Sequence, residues 1–117
     1  VVLIVDDDPY ILEFVEMVLA DEGYQVITAG NGQQALDVVT RRQVDLVLLD
    51  MRMPVMDGWE FAAALKEANL DPPIVVMTAA ADAEKRRAEI DAEGCLAKPF
   101  ELDDLIRTVR SFVAATA

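Results

Sequence analysis

Two hydrophobic periods alternate along the chain. "VVLIV" (Val1 to Val5), "QVITA" (Gln25 to Ala29), "DLVLL" (Asp45 to Leu49), "IVVM" (Ile74 to Met77) and "CLA" (Cys95 to Ala97) are short apolar runs. Their length and their content of β-branched residues predict strands. Between them the apolar positions recur at helical spacing: Ile11, Phe14, Val15, Val18 and Leu19, then Ala35, Leu36 and Val39, then Phe61, Ala64, Leu65 and Ala68. A charged, weakly amphipathic helix is expected over Ala83 to Asp91. A final helix is expected to carry the stripe Leu102, Leu105, Ile106, Val109 and Val113. The punctuation agrees. Asp8-Pro9 reads as an N-cap and first turn, Gly23 as a stop, Gly58 as a helix start and Pro72-Pro73 as a break.

Five strand–helix repeats imply an α/β fold, with a parallel sheet covered by helices on both faces. A single domain over residues 1–117 accounts for the whole pattern. Crossover helices leave every strand's C-terminal end on one edge, where open sheets of this kind bind ligands. The residues at that edge are of few types. Asp6, Asp7 and Asp8 follow the first strand, Gly30, Asn31 and Gly32 the second, Asp50 the third, Thr78 the fourth and Lys98-Pro99 the fifth.

Composition narrows the chemistry. The net charge of −12 disfavours direct nucleic-acid contact and anionic membranes, and favours a metal cation or a basic partner. No apolar run is long enough to span a bilayer, and no signal-peptide pattern opens the chain. Val1 already lies in a strand pattern, so a trimmed or processed start is expected. The single cysteine, Cys95, permits no intrachain disulfide and points to a reducing, cytoplasmic compartment. The chain has no histidine, so any chemistry rests on carboxylates, lysine and hydroxyls.

Each edge residue alone has a plain role: Asp8 as a helix cap, Asp50 in a turn, Thr78 as a strand-end hydroxyl, Lys98 as a surface lysine. Recurrence at four strand ends argues for one site. Adjacent carboxylates repel, and a bound cation relieves them. Hard oxygen donors with open positions suit Mg2+, or Mn2+, completed by a phosphate. Lysine and threonine can hold that phosphate, and an aspartate can be its acceptor. The residues alone leave open which aspartate attacks. Asp50 is isolated among apolar neighbours, whereas Asp6 and Asp7 are paired and better suited to holding metal.

The segments "LIVDDDP" (Leu3 to Pro9), "LLDMRMPVMDG" (Leu48 to Gly58), "MTA" (Met77 to Ala79) and "AKPF" (Ala97 to Phe100) together resemble the receiver domain of two-component response regulators. The resemblance implies a flavodoxin-like (βα)5 three-layer sandwich with strand order 2-1-3-4-5. It implies that Asp50 is the phosphorylated residue. Asp7 would ligate Mg2+ directly, Asp6 through a water, and the backbone carbonyl of Arg52 would complete the metal site with Asp50. Thr78 and Lys98 would bind the phosphoryl group, with a cis Lys98-Pro99 bond aiming the lysine. The donor would be a histidine kinase or a histidine phosphotransfer domain. The chain would act on an output domain or downstream protein, as a monomer or a phosphorylation-dependent dimer. It would be no enzyme beyond catalysing its own phosphorylation and dephosphorylation.

One departure stands out. Receivers usually carry an aromatic ring three residues before the lysine, and here that position is Cys95. A small core role is expected for this thiol, and an altered readout. Arg52 is expected at the pocket mouth, where it would affect the lifetime of the acyl phosphate. Met51, Met53 and Met56 are expected to pack the loop, and Trp59 to lie near enough to report binding. Two other readings compete. A haloacid-dehalogenase-like phosphatase would use Asp6 as nucleophile with Asp8 two positions on. A receiver-like interaction module would never be phosphorylated.

Overall fold

The computed structural model describes residues 1–113. The last four residues of the domain expected over 1–117 therefore lie outside the described part. Ten elements alternate strictly: β1 (Val2–Val5), α1 (Pro9–Asp21), β2 (Val26–Ala29), α2 (Gly32–Arg41), β3 (Leu46–Asp50), α3 (Gly58–Glu67), β4 (Ile74–Ala79), α4 (Ala83–Glu89), β5 (Gly94–Lys98) and α5 (Leu102–Phe112). All strand pairs are parallel, in the order β2-β1-β3-β4-β5. This is the expected flavodoxin-like topology.

The unbroken apolar strands follow from burial on both faces. Alternate residues of one strand enter opposite cores. Leu3, Val5, Val47, Leu49 and Val76 pack under Ala35, Val39, Phe61 and Leu65 of α2 and α3, with Ile90 just past α4. Val2, Ile4, Leu48, Val75 and Met77 pack under Val15, Leu19, Leu105 and Val109 of α1 and α5. Each fully buried aliphatic side chain contributes about 1.5–3 kcal/mol, so the three inner strands hold the sheet edge rigid.

Helix starts are set by local chemistry. Asp8 Oδ1 accepts from the Tyr10 N–H at 2.9 Å, with Pro9 at the first helical position. Asn31 Oδ1 accepts from the Gln34 N–H at 2.9 Å. Asp57 and Glu60 form a reciprocal capping box on α3. Gly23, at φ 94°, ends α1 in the left-handed region that glycine favours.

The expected helix faces hold with three changes. Phe14 and Leu102, expected in the apolar stripes, are 40% and 47% exposed, because α1 and α5 meet each other only along one flank. Ala68, expected on the α3 face, is the exposed C-cap, and Ala62 takes its place in the core. Three strands also run further than their apolar runs: β3 reaches Asp50, β4 reaches Ala79 and β5 reaches Lys98. Asp50, Thr78 and Lys98 thus sit within paired strands rather than after them.

Candidate functional site

Parallel pairing sets the site. Val5 pairs with Leu49 across β1 and β3, so Asp6 and Asp50 emerge side by side at the C-terminal edge. Asp50 pairs in turn with Met77, and Ala79 with Lys98. Carboxylate oxygens of Asp6, Asp7 and Asp50 all lie within 4.8 Å of one another. The Lys98 Nζ reaches over them, 2.7 Å from Asp6 Oδ2 and 3.7 Å from Asp50 Oδ1.

The three acids are not equivalent. Asp6 is 1% exposed; its Oδ1 accepts from the Asp8 N–H at 2.9 Å and its Oδ2 from Lys98. Asp7 is exposed. Asp50 lies between, 13% exposed. Burial pushes the Asp50 carboxyl up from its ordinary 3.8 to about 6. The Asp6 charge adds to the rise, Lys98 and the Arg52 backbone N–H oppose it, and Asp7 adds a smaller push. Three hard oxygen donors this close, one of them charged at a cost, suit a small divalent cation. The residues present therefore fit a Mg2+ site.

The β3–α3 loop is fixed against this edge. Met51 and Met53 are buried and Met56 packs on the core, as expected for loop packing. The Gly58 N–H donates to the Met51 carbonyl at 2.9 Å, and the Gly32 N–H to the Met56 carbonyl at 2.9 Å. A Cβ on Gly58 would lie 2.8 Å from Met51 Cα, and one on Gly32 2.6 Å from the Met56 carbonyl oxygen. Only glycine lets α2 and α3 start this close to the loop.

Other expected residues fall as follows. Thr78 is half-buried at the same edge, one residue beyond the partner of Asp50. Its hydroxyl makes no hydrogen bond among the described residues. Arg52 is exposed, with its backbone N–H turned to Asp50. The Lys98-Pro99 bond is cis. Cys95 is a free, half-buried thiol packed against the α2–α3 core. Trp59 faces α4: its indole N–H donates to Glu89 Oε1 at 3.1 Å, and Arg86 lies over the ring, 5.2 Å from the centroid. No sequence signal joins residues 59 and 89, and this contact was not foreseen. Nor was the burial of Asp6, which looks in the sequence like any member of an acidic run.

The geometry disfavours the phosphatase reading. Asp6 has both oxygens engaged and almost no access. Asp8, the second aspartate of that reading, is occupied in capping α1.

Known proteins agree with this assembly. The family model described as response regulator receiver domain matches residues 2–110. Sporulation initiation phosphotransferase F of Bacillus subtilis is 39% identical, over 96% of this chain and 92% of its own. Response regulator MprA of Mycobacterium sp. (strain KMS) is 36% identical over 99% of this chain, which spans only 51% of that longer protein. Among solved structures, the Vibrio cholerae chemotaxis protein CheY4 superposes with TM-score 0.86 at 34% identity, covering 96% of this chain and 97% of that one. Response regulator protein TrrA of Thermotoga maritima, solved in complex with Mg(2+)-BeF, gives 0.83 at 32% identity, covering 96% and 97%. With its fold, its edge of acids and lysine, and these relatives all in accord, the chain belongs to the response regulator receiver domain family.

Proposed function

We propose that Asp50 is the phosphoacceptor of a two-component signalling domain, with Asp6, Asp7, Asp50 and the Arg52 carbonyl as the Mg2+ ligand set. The observation that carries this reading is the cluster itself: three carboxylates within 4.8 Å, with Lys98 Nζ 3.7 Å from Asp50. A phosphohistidine of a kinase or phosphotransfer domain is the donor. An Asp50 oxygen attacks phosphorus, the P–O bond forms as the P–N bond breaks, and the imidazole leaves with the bonding pair. Bound Mg2+ would neutralise charge on the phosphoryl oxygens. Lys98 supplies a second positive charge, and the free Thr78 hydroxyl is placed to donate to a phosphoryl oxygen. Little else is needed, because phosphoryl transfer rests on positioning and charge neutralisation. The TrrA complex with Mg(2+)-BeF supports the choice of ligand.

The protein thus promotes its own modification and the later hydrolysis, without turning over a separate substrate. No helix of the described residues is long and apolar enough to cross a membrane, and a cytoplasmic setting suits a phosphohistidine donor. Output passes to an attached domain or a separate protein. Arg52 stands exposed beside the acceptor, so Arg52→Ala changes the hydrolysis rate of the acyl phosphate more than twofold.

Acetyl phosphate with Mg2+ tests the assignment. Intact-mass measurement is expected to show one added phosphoryl group, none with chelator and none in Asp50→Asn. Full modification of Asp50→Asn would falsify it.

A further inference from the structure

Helix α4 is short. It has seven residues, its N-cap Asp82 makes no side-chain cap bond, and Ala83 is its one buried residue. It hangs from the end of β4, where the Asp82 N–H donates to the Ala79 carbonyl at 2.9 Å, one residue past Thr78. Just past its C-terminus Ile90 packs in the core, and Arg87 Nη1 donates to the Ala92 carbonyl at 3.1 Å; a further tie is lateral. Glu89 Oε1 accepts from the Trp59 indole N–H at 3.1 Å and from Arg86 Nη1 at 2.8 Å, while the Arg86 guanidinium covers the indole face. The Arg86 side chain is 12% exposed and that of Glu89 34%, so the cluster is packed on the arginine side and open to solvent on the other. Trp59 is anchored in turn. It follows Gly58, whose N–H is bonded to the carbonyl of Met51, the neighbour of Asp50. These two ties, at Ala79 and at Trp59, therefore lead to the chain neighbours of Thr78 and Asp50.

We propose that Trp59, Glu89 and Arg86 form a clamp that holds α4 in its resting position and that opens when a phosphoryl group occupies Asp50. The proposal rests on Asp50 being the acceptor. Drawing Thr78 toward a phosphoryl oxygen displaces the β4–α4 turn, and α4 follows only by giving up its contacts with Trp59. The clamp then opposes occupancy of the site. By linkage, weakening it tightens binding at Asp50. These three are positioning residues and touch no reacting atom.

Beryllium fluoride with Mg2+ is the probe, and 19F NMR of the bound species measures its affinity in the full chain. Glu89→Leu and Arg86→Met each remove one leg of the clamp but change the charge in opposite directions. A plain field effect makes anion binding tighter in the first and weaker in the second. The clamp makes both tighter, each by about threefold or more, the scale of a single ion-pair or cation–π contact. Arg107→Met, which breaks the exposed Asp104–Arg107 pair on α5, is the control and leaves affinity unchanged. Trp59 is the chain's single tryptophan, so wild-type emission shifts on saturation. Affinities that move oppositely, or stay within twofold in either variant, overturn the clamp. No bound signal in the wild type removes the acceptor reading, and the clamp with it.

Discussion

Asp50 pays for its position in stability (the cost sets a pH window). Its carboxyl titrates near 6 in the fold against an ordinary 3.8. Between about pH 4 and pH 6 the folded protein holds a proton that the unfolded chain has released. Stability from this group is thus full below pH 4 and declines as pH rises through the window. A rise of about two units is worth at most about 3 kcal/mol, and partial solvent access reduces it to about 1–2. Asp50→Asn keeps the shape and removes the charge. Urea unfolding without metal is expected to find it about 1–2 kcal/mol more stable than wild type at pH 7.5, with the gap closing by pH 4. An equal or lower stability at pH 7.5 contradicts this origin. Lys98 makes the opposite case. Among the described residues it is the one cation on the buried Asp6 carboxylate, so Lys98→Met strands that charge and costs about 2 kcal/mol. Adding Asp6→Asn recovers most of the loss, which a double-mutant cycle reads directly.

At the scale of elements, the strand-to-helix connections decide which residues meet. Gly58→Ala drives a Cβ to 2.8 Å from the Met51 backbone, which only a shift of α3 or the loop relieves. A loss of about 2 kcal/mol is expected in thermal or urea melts. Gly30→Ala is the contrast. Its Cβ meets only the flexible Gln34 side chain, at 3.5 Å, and stability stays within about 0.5 kcal/mol. The strands and the acid edge were legible in the sequence because burial on both faces writes continuous apolar runs, whereas the strand order came only from the resemblance. The family motifs fixed the rest of the topology. The helix faces were less legible. Phe14 and Leu102 have the right period, but period does not say how far a neighbouring helix reaches. The far ends of β3, β4 and β5 were hidden because Asp50, Thr78 and Lys98 are polar while their pairing is backbone. The Trp59–Glu89 contact was illegible because nothing local connects a helix start to a helix end thirty residues on.

At the scale of the whole molecule, 22 acidic residues face 10 basic ones, and the sharpest concentration of charge is the Asp6, Asp7 and Asp50 cluster. Two effects of added salt must then be separated. Any salt screens the general self-repulsion and raises stability gradually. A site-bound divalent ion adds a saturable term that grows as RT ln(1 + [L]/Kd), about 2 kcal/mol at thirty times Kd. The comparison is Mg2+ against NaCl at matched ionic strength, by urea unfolding at pH 7.5. Mg2+ is expected to give the extra saturable increment in the wild type. Asp7→Asn is expected to lose that increment while keeping the NaCl response, because the exposed Asp7 side chain makes no hydrogen bond among the described residues and its loss leaves the scaffold intact. The increment also depends on pH. A cation must compete with the proton on Asp50, so it is expected to shrink below about pH 6, where that carboxyl is already neutral. Equal responses to the two salts, or an increment indifferent to both Asp7→Asn and pH, would mean that the acids are only a crowded edge and hold no ion.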